Sequence, residues 1–151
     1  MTAYFFDSSA LVKRYVAESG TAWVRTITAP RASHTILISQ IAPIETVSAI
    51  MRRKRDGSLP NRTAQAARLL VDRHAIREYK MIYLSNEVSQ IAENLLDNYA
   101  LRAADAIQLS AALEANVKLL ASGLAPLTFV CADTRLNTVA VSEGLPTYVP
   151  V

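Results

Sequence analysis

Short apolar runs alternate with longer stretches in which apolar residues recur every three or four positions. The runs at 3–6, 34–39, 81–84 and 127–131 carry aromatic and β-branched residues and predict buried strands. Helices are predicted over 8–18, 21–28, 41–55, 61–78, 85–100, 103–121 and 133–143. Their boundaries carry recognisable signals. Gly20, Pro30, Asp56-Gly57 and Gly144 act as stops, and Asn61 and Ser85 stand where N-caps are expected. The helix over 61–78 carries Arg62, Gln65, Arg68, Asp72 and Arg73 and should keep one wet face. A last short strand at 146–149 is expected at a sheet edge. Strands of four to six residues alternating with helices predict a parallel sheet covered on both faces.

Composition narrows the setting. The chain has 151 residues, 51% of them hydrophobic, which suits one domain over 1–151 with a substantial core. Its one cysteine, Cys131, is expected to be a buried strand residue; it excludes an internal disulfide and suits a reducing cytosol. The start Met1-Thr2-Ala3-Tyr4 lacks the basic segment of a secretion signal, and no apolar run nears the ~20 residues of a membrane span. A cytoplasmic location without membrane contact is therefore expected. The net charge of +3 is a mild hint of a polyanionic partner. Arg52-Arg53-Lys54-Arg55 form a run that could contact phosphates, or could be a solvated helix end favoured by the helix dipole. His34 and His74 lie far apart, which argues against a zinc site, and His74 reads as a surface residue. Neither a glycine-rich phosphate loop nor a Ser-His-Asp arrangement can be assembled.

Four acids sit in apolar or small-residue surroundings: Asp7, Glu45, Asp105 and Asp133. Asp7 and Asp133 follow the first and fourth predicted strands, and Glu45 and Asp105 fall in the first turns of helices. Ligands of open α/β sheets bind beyond the carboxyl ends of the strands, so all four could reach one rim. Local roles are available for three. Asp7 and Asp133 could cap the helices that follow them, and Asp105 could pair with Arg102. Glu45 has only Ala42, Ile41, Ser48 and Ala49 as helical neighbours, none of them basic. Ser9, two residues beyond Asp7, can hydrogen-bond a carboxylate or reach a metal-bound water, or simply be a serine at a helix start. Crowded carboxylates call for a compensating cation. An all-oxygen set suits Mg2+ or Mn2+, with waters left over for a substrate phosphate.

The segments that carry the acids resemble a family pattern. Residues 5–15, with Phe5-Phe6-Asp7-Ser8-Ser9, resemble the opening motif of PIN-domain ribonucleases of the VapC toxin type. Residues 41–50 around Glu45, 101–112 around Asp105 and 129–136 around Asp133 are similar to the next three motifs, in the same order. The resemblance implies a PIN-like three-layer α/β/α sandwich with a mainly parallel five-stranded sheet. It implies a Mg2+- or Mn2+-dependent endoribonuclease leaving a 3′-hydroxyl and a 5′-phosphate, with Asp7, Glu45, Asp105 and Asp133 as the acidic, metal-ligating centre. It also implies a homodimer and a VapB-type antitoxin that plugs the site. Arg52, Arg53, Arg55 and Arg102 are candidates for contacts with RNA or antitoxin. Cys131 and Gln108 depart from the family pattern, where Thr and His are common, and bear on how the acids are oriented. The alternatives are an RNA-processing PIN nuclease without antitoxin and a non-catalytic binding module. A phosphoacceptor receiver domain fits less well, because no Lys follows a late strand.

Overall fold

The computed structural model describes residues 2–151. Five strands form one sheet: β1 (Ala3–Phe6), β2 (Thr35–Ser39), β3 (Tyr79–Ile82), β4 (Thr128–Val130) and β5 (Thr147–Tyr148). Their order is β3-β2-β1-β4-β5 and every pairing is parallel. The helices are α1 (Ser8–Leu11), α2 (Thr21–Thr28), α3 (Ala42–Arg55), α4 (Asn61–Arg77), α5 (Asn86–Asn98), α6 (Ala103–Ala121) and α7 (Thr134–Ser142).

Strand residues alternate between two cores, which explains why the strands read as unbroken apolar runs. Phe5, Leu37 and Phe129 face a core built with α5, α6 and α7. Phe6, Ile36, Ile38 and Val130 face the other, built with α1, α2, α3 and α4. Phe5 and Phe129 are register partners whose rings stack at 5.9 Å. Each fully buried side chain of this size contributes about 1.5–3 kcal/mol. The expected three-layer α/β/α arrangement is present, and the sheet is parallel throughout rather than mainly so.

Several local expectations change. The helix expected over 8–18 stops after one turn, tightens into a 3-10 turn at Val12–Arg14 and then folds back. The Lys13 ammonium is responsible: it is buried, donates to the Ser19 carbonyl at 2.6 Å and pairs with Glu18 at 3.3 Å. Gly20 (φ 90°) makes the next turn against Pro150, whose carbonyl oxygen would lie 2.5 Å from any Cβ at that position. Asn61 is the first residue of α4 rather than its cap; Pro60 occupies the cap position and pre-sets the entry angle. The third strand lies two residues earlier than expected. Pairing with β2 sets its register, Ile36 with Tyr79 through Ser39 with Ile82, and Gln40 Oε1 accepts from the Leu84 N–H just beyond its end. Ser85 caps α5 as expected, with Oγ accepting from the Val88 N–H. Buried Ala64, Ala67 and Val71 line one face of α4 and leave its polar face wet. Among the described residues, no helix is long and apolar enough to cross a membrane.

The strand order determines where a cleft opens. From β1 the chain builds outward through β2 and β3, then crosses back to place β4 and β5 on the other side of β1. The helices that follow β1 and β4 consequently pack on opposite faces, α1 in one core and α7 in the other. Between the carboxyl ends of β1 and β4 lies the topological switch point, where doubly wound sheets form their crevice.

Candidate active site

A cleft of about 530 Å³ opens at that point. Its lining includes Asp7, Glu45, Asp105 and Asp133, together with Ser8, Ser9, Arg52 and Arg102. Four separate segments thus bring the four predicted acids to one place.

Asp7 is the most enclosed of them. It leaves the end of β1, where its N–H still bonds the Val130 carbonyl at 3.1 Å. Oδ1 accepts from Ser9 Oγ (2.7 Å) and from the Ala10 N–H (3.1 Å), so the side chain caps α1. Oδ2 accepts from Cys131 Sγ at 3.2 Å. Burial pushes the Asp7 carboxyl up to about 6, the hydrogen bonds from Ser9, Cys131 and Ala10 partly offset this, and the Glu45 charge adds to the rise. Burial, and then the nearby Asp7 charge, also push the Cys131 thiol up, which keeps it a protonated donor. Cys131 lies just past β4 rather than within it. Its sulfur accepts from the Asp133 N–H at 3.3 Å, and its carbonyl accepts from Asn137 Nδ2 at 2.7 Å. Ser9 links the same two strand ends, because its hydroxyl oxygen accepts from the Ala132 N–H at 2.9 Å.

Asp133 caps α7 through the Arg135 N–H at 2.9 Å. Capping and membership of the cleft are therefore compatible for both aspartates, since a cap uses only part of a carboxylate's accepting capacity. Asp105, in the first turn of α6, lies 3.5 Å from Arg102 Nε. Arg102 is 82% exposed, so that pair is loose and contributes little. Glu45 is not without partners, as its helical neighbours suggested. Oε1 accepts from Gln108 Nε2 (2.7 Å) and Ser8 Oγ (3.2 Å), both from other elements. The clue to Gln108 was its spacing, three residues after Asp105 on the same helical face.

The basic run divides. Arg52 lies seven residues beyond Glu45 on α3 and lines the cleft. Arg53 turns away to Glu18 (3.4 Å) and Ser58 (3.4 Å), and Arg55 is exposed outside the cleft. His74 is partly buried rather than a free surface residue. Nδ1 meets the Tyr15 hydroxyl at 2.8 Å and Nε2 lies 3.6 Å from Glu78, because Tyr15 and Tyr79 are buried beneath it.

The donor set of the cleft is wholly hard oxygen and would suit a divalent cation such as Mg2+ or Mn2+. The buried Asp7, raised by burial and by Glu45, is the group that a cation would compensate. Among the described residues, no three acidic, histidine or cysteine side chains converge tightly enough to enclose an ion. An ion there would keep part of its water shell, as Mg2+ commonly does.

Residues 4–125 match the PIN domain family. The chain belongs to that family. The match carries Asp7, Glu45 and Asp105, while Asp133 lies beyond it and joins them through the fold. No curated protein matches the sequence. The PIN fold here is similar to several solved structures. VapBC2 from Rickettsia felis bound to a promoter DNA fragment shares 13% identity over 98% of each chain, with a TM-score of 0.65. FitAB bound to a DNA fragment shares 11% identity over 97% of this chain and 94% of that one, with a TM-score of 0.66. VapC20 from Mycobacterium tuberculosis, a toxin that cleaves the sarcin–ricin loop, shares 20% identity over 90% and 94%, with a TM-score of 0.54.

Proposed function

We propose that this PIN domain is a Mg2+- or Mn2+-dependent endoribonuclease acting as the toxin of a toxin–antitoxin pair. The observation that carries this reading is the meeting of four carboxylates from four elements in one cleft at the switch point, flanked by Arg52 and Arg102. Asp7, Glu45, Asp105 and Asp133 are the proposed metal ligands and catalytic acids. When bound, a divalent cation supplies neutralisation of phosphodiester charge and makes water a better nucleophile. The chain's own part is positioning. Ser9 and the Ala10 N–H hold Asp7, Arg52 and Arg102 attract the RNA backbone, and the β1 and β4 ends keep Asp7 and Asp133 in fixed relation. The expected products carry a 3′-hydroxyl and a 5′-phosphate.

A VapB-type antitoxin and a homodimer complete the proposal. The similarity of the fold to VapBC2 and FitAB supports the antitoxin. Cleavage-site mapping on total RNA tests the activity. Wild type should cleave with Mg2+ and stop with EDTA, and Asp7→Ala or Asp105→Ala should lose at least about a hundredfold in rate while keeping a native circular dichroism spectrum. Wild-type cleavage by both variants would refute the site.

A further inference from the structure

Glu45 is oriented by neutral donors that come from outside its own helix. Gln108 Nε2 (2.7 Å) and Ser8 Oγ (3.2 Å) both donate to Oε1, and Oε2 makes no hydrogen bond among the described residues. Gln108 is only 1% exposed, yet its own Oε1 has no partner. Rotating the amide by half a turn would set oxygen against oxygen, so the nitrogen must face Glu45. A buried amide with one end unsatisfied is a poor packing choice, and an unbranched apolar side chain would fill the space without that penalty. The value of Gln108 must therefore lie at its paired end. The type of donor matters too. An Arg or Lys at this point would neutralise the carboxylate and compete with a cation, whereas an amide and a hydroxyl orient it and leave its charge in place.

We infer that Gln108 and Ser8 are positioning residues for the cation site: they pin one oxygen of Glu45 and leave the other as the ligand atom. This rests on the reading of the cleft as a divalent-metal site. The test is Mn2+ titration followed by electron paramagnetic resonance, on wild type, Gln108→Met, Ser8→Ala, Glu45→Gln and Glu45→Gln/Gln108→Met, with metal-free melting curves for each. Gln108→Met should weaken Mn2+ binding about tenfold without lowering the metal-free melting temperature. Ser8→Ala should weaken it less. In the Glu45→Gln background, Gln108→Met should cause no further loss. Wild-type Mn2+ affinity in Gln108→Met, or a further loss in the Glu45→Gln background, would overturn the assignment. Should Gln108→Met fail to fold, Ser8→Ala decides, and unchanged Mn2+ affinity in it would likewise overturn the assignment. A wild type that binds no Mn2+ and cleaves no RNA overturns the nuclease reading, and this assignment with it. A wild type that binds Mn2+ while Gln108→Met matches it overturns this assignment alone.

Discussion

At neutral pH the metal-free Asp7 carboxylate sits where burial opposes its charge, and its carboxyl is raised to about 6 from an ordinary 3.8. A raised carboxyl makes the folded state bind its proton more tightly than the unfolded chain does. The stabilisation is present below pH 3.8, fades as pH rises and is gone above about 6. Charged Asp7 then costs about 3 kcal/mol relative to the protonated carboxyl. Asp7→Asn should therefore melt several degrees higher than wild type at pH 8 in EDTA, with the gap closing near pH 4. Saturating Mg2+ should stabilise wild type and leave the variant unmoved, because only the native carboxylate site gains from binding. Melting curves in EDTA and in Mg2+ check both signs. The acids themselves could be recognised from sequence, because a carboxylate in an apolar setting is unusual in any fold. Which acid each partner holds could not be read there, because Gln108 is 63 positions from Glu45 and Cys131 is 124 from Asp7.

Among the elements, α3 shows how a charge run is sorted by geometry. Arg52 and Glu45 share a face, whereas Arg53, one residue on, is turned toward Glu18 and Ser58. RNA binding should reflect this division. Arg52→Ala is expected to weaken binding several-fold and to reduce the slope of log affinity against log salt by about one. Arg53→Ala should leave that slope unchanged. Fluorescence anisotropy over a salt series separates the two, and equal slopes for both variants would contradict the division. The α1 segment shows the limit of periodicity. Leu11, Val12, Tyr15 and Val16 fit a continuous helix, and all are buried, but the buried Lys13 ammonium draws the chain back to Ser19. A bond from a side chain to a backbone carbonyl six residues on leaves no periodic trace.

For the molecule as a whole, a buried polar cluster joins α4, β3 and the 3-10 turn after α1. Arg14 donates to the Tyr79 hydroxyl (2.7 Å) and pairs with Glu78 (2.8 Å), while Tyr15 bonds both Tyr79 and His74. Burial, and then the Arg14 charge, hold His74 below its ordinary 6.5. The folded state thus favours neutral His74, and stability should fall as pH drops below about 6.5, where the unfolded chain takes up the proton first. Melting curves between pH 5 and 8 isolate this contribution as the difference between two proteins: as pH falls, wild type should lose stability relative to His74→Gln. Identical profiles would show that His74 is not linked to folding.

By itself the sequence determined the parallel α/β sheet, because apolar strands buried on both faces alternate with helices. It also picked out the four acids, because each stands in an apolar or small-residue setting, and local pattern carries both kinds of information. Tertiary structure decided the rest: that strand order places the switch point between β1 and β4, that Asp7 and Asp133 cap helices and line the cleft at once, that neutral donors from α1 and α6 hold Glu45, and that Arg52 rather than Arg53 faces the acids. Each depends on contacts between residues far apart in the chain, and such contacts exist only once the sheet and its two helical layers have assembled.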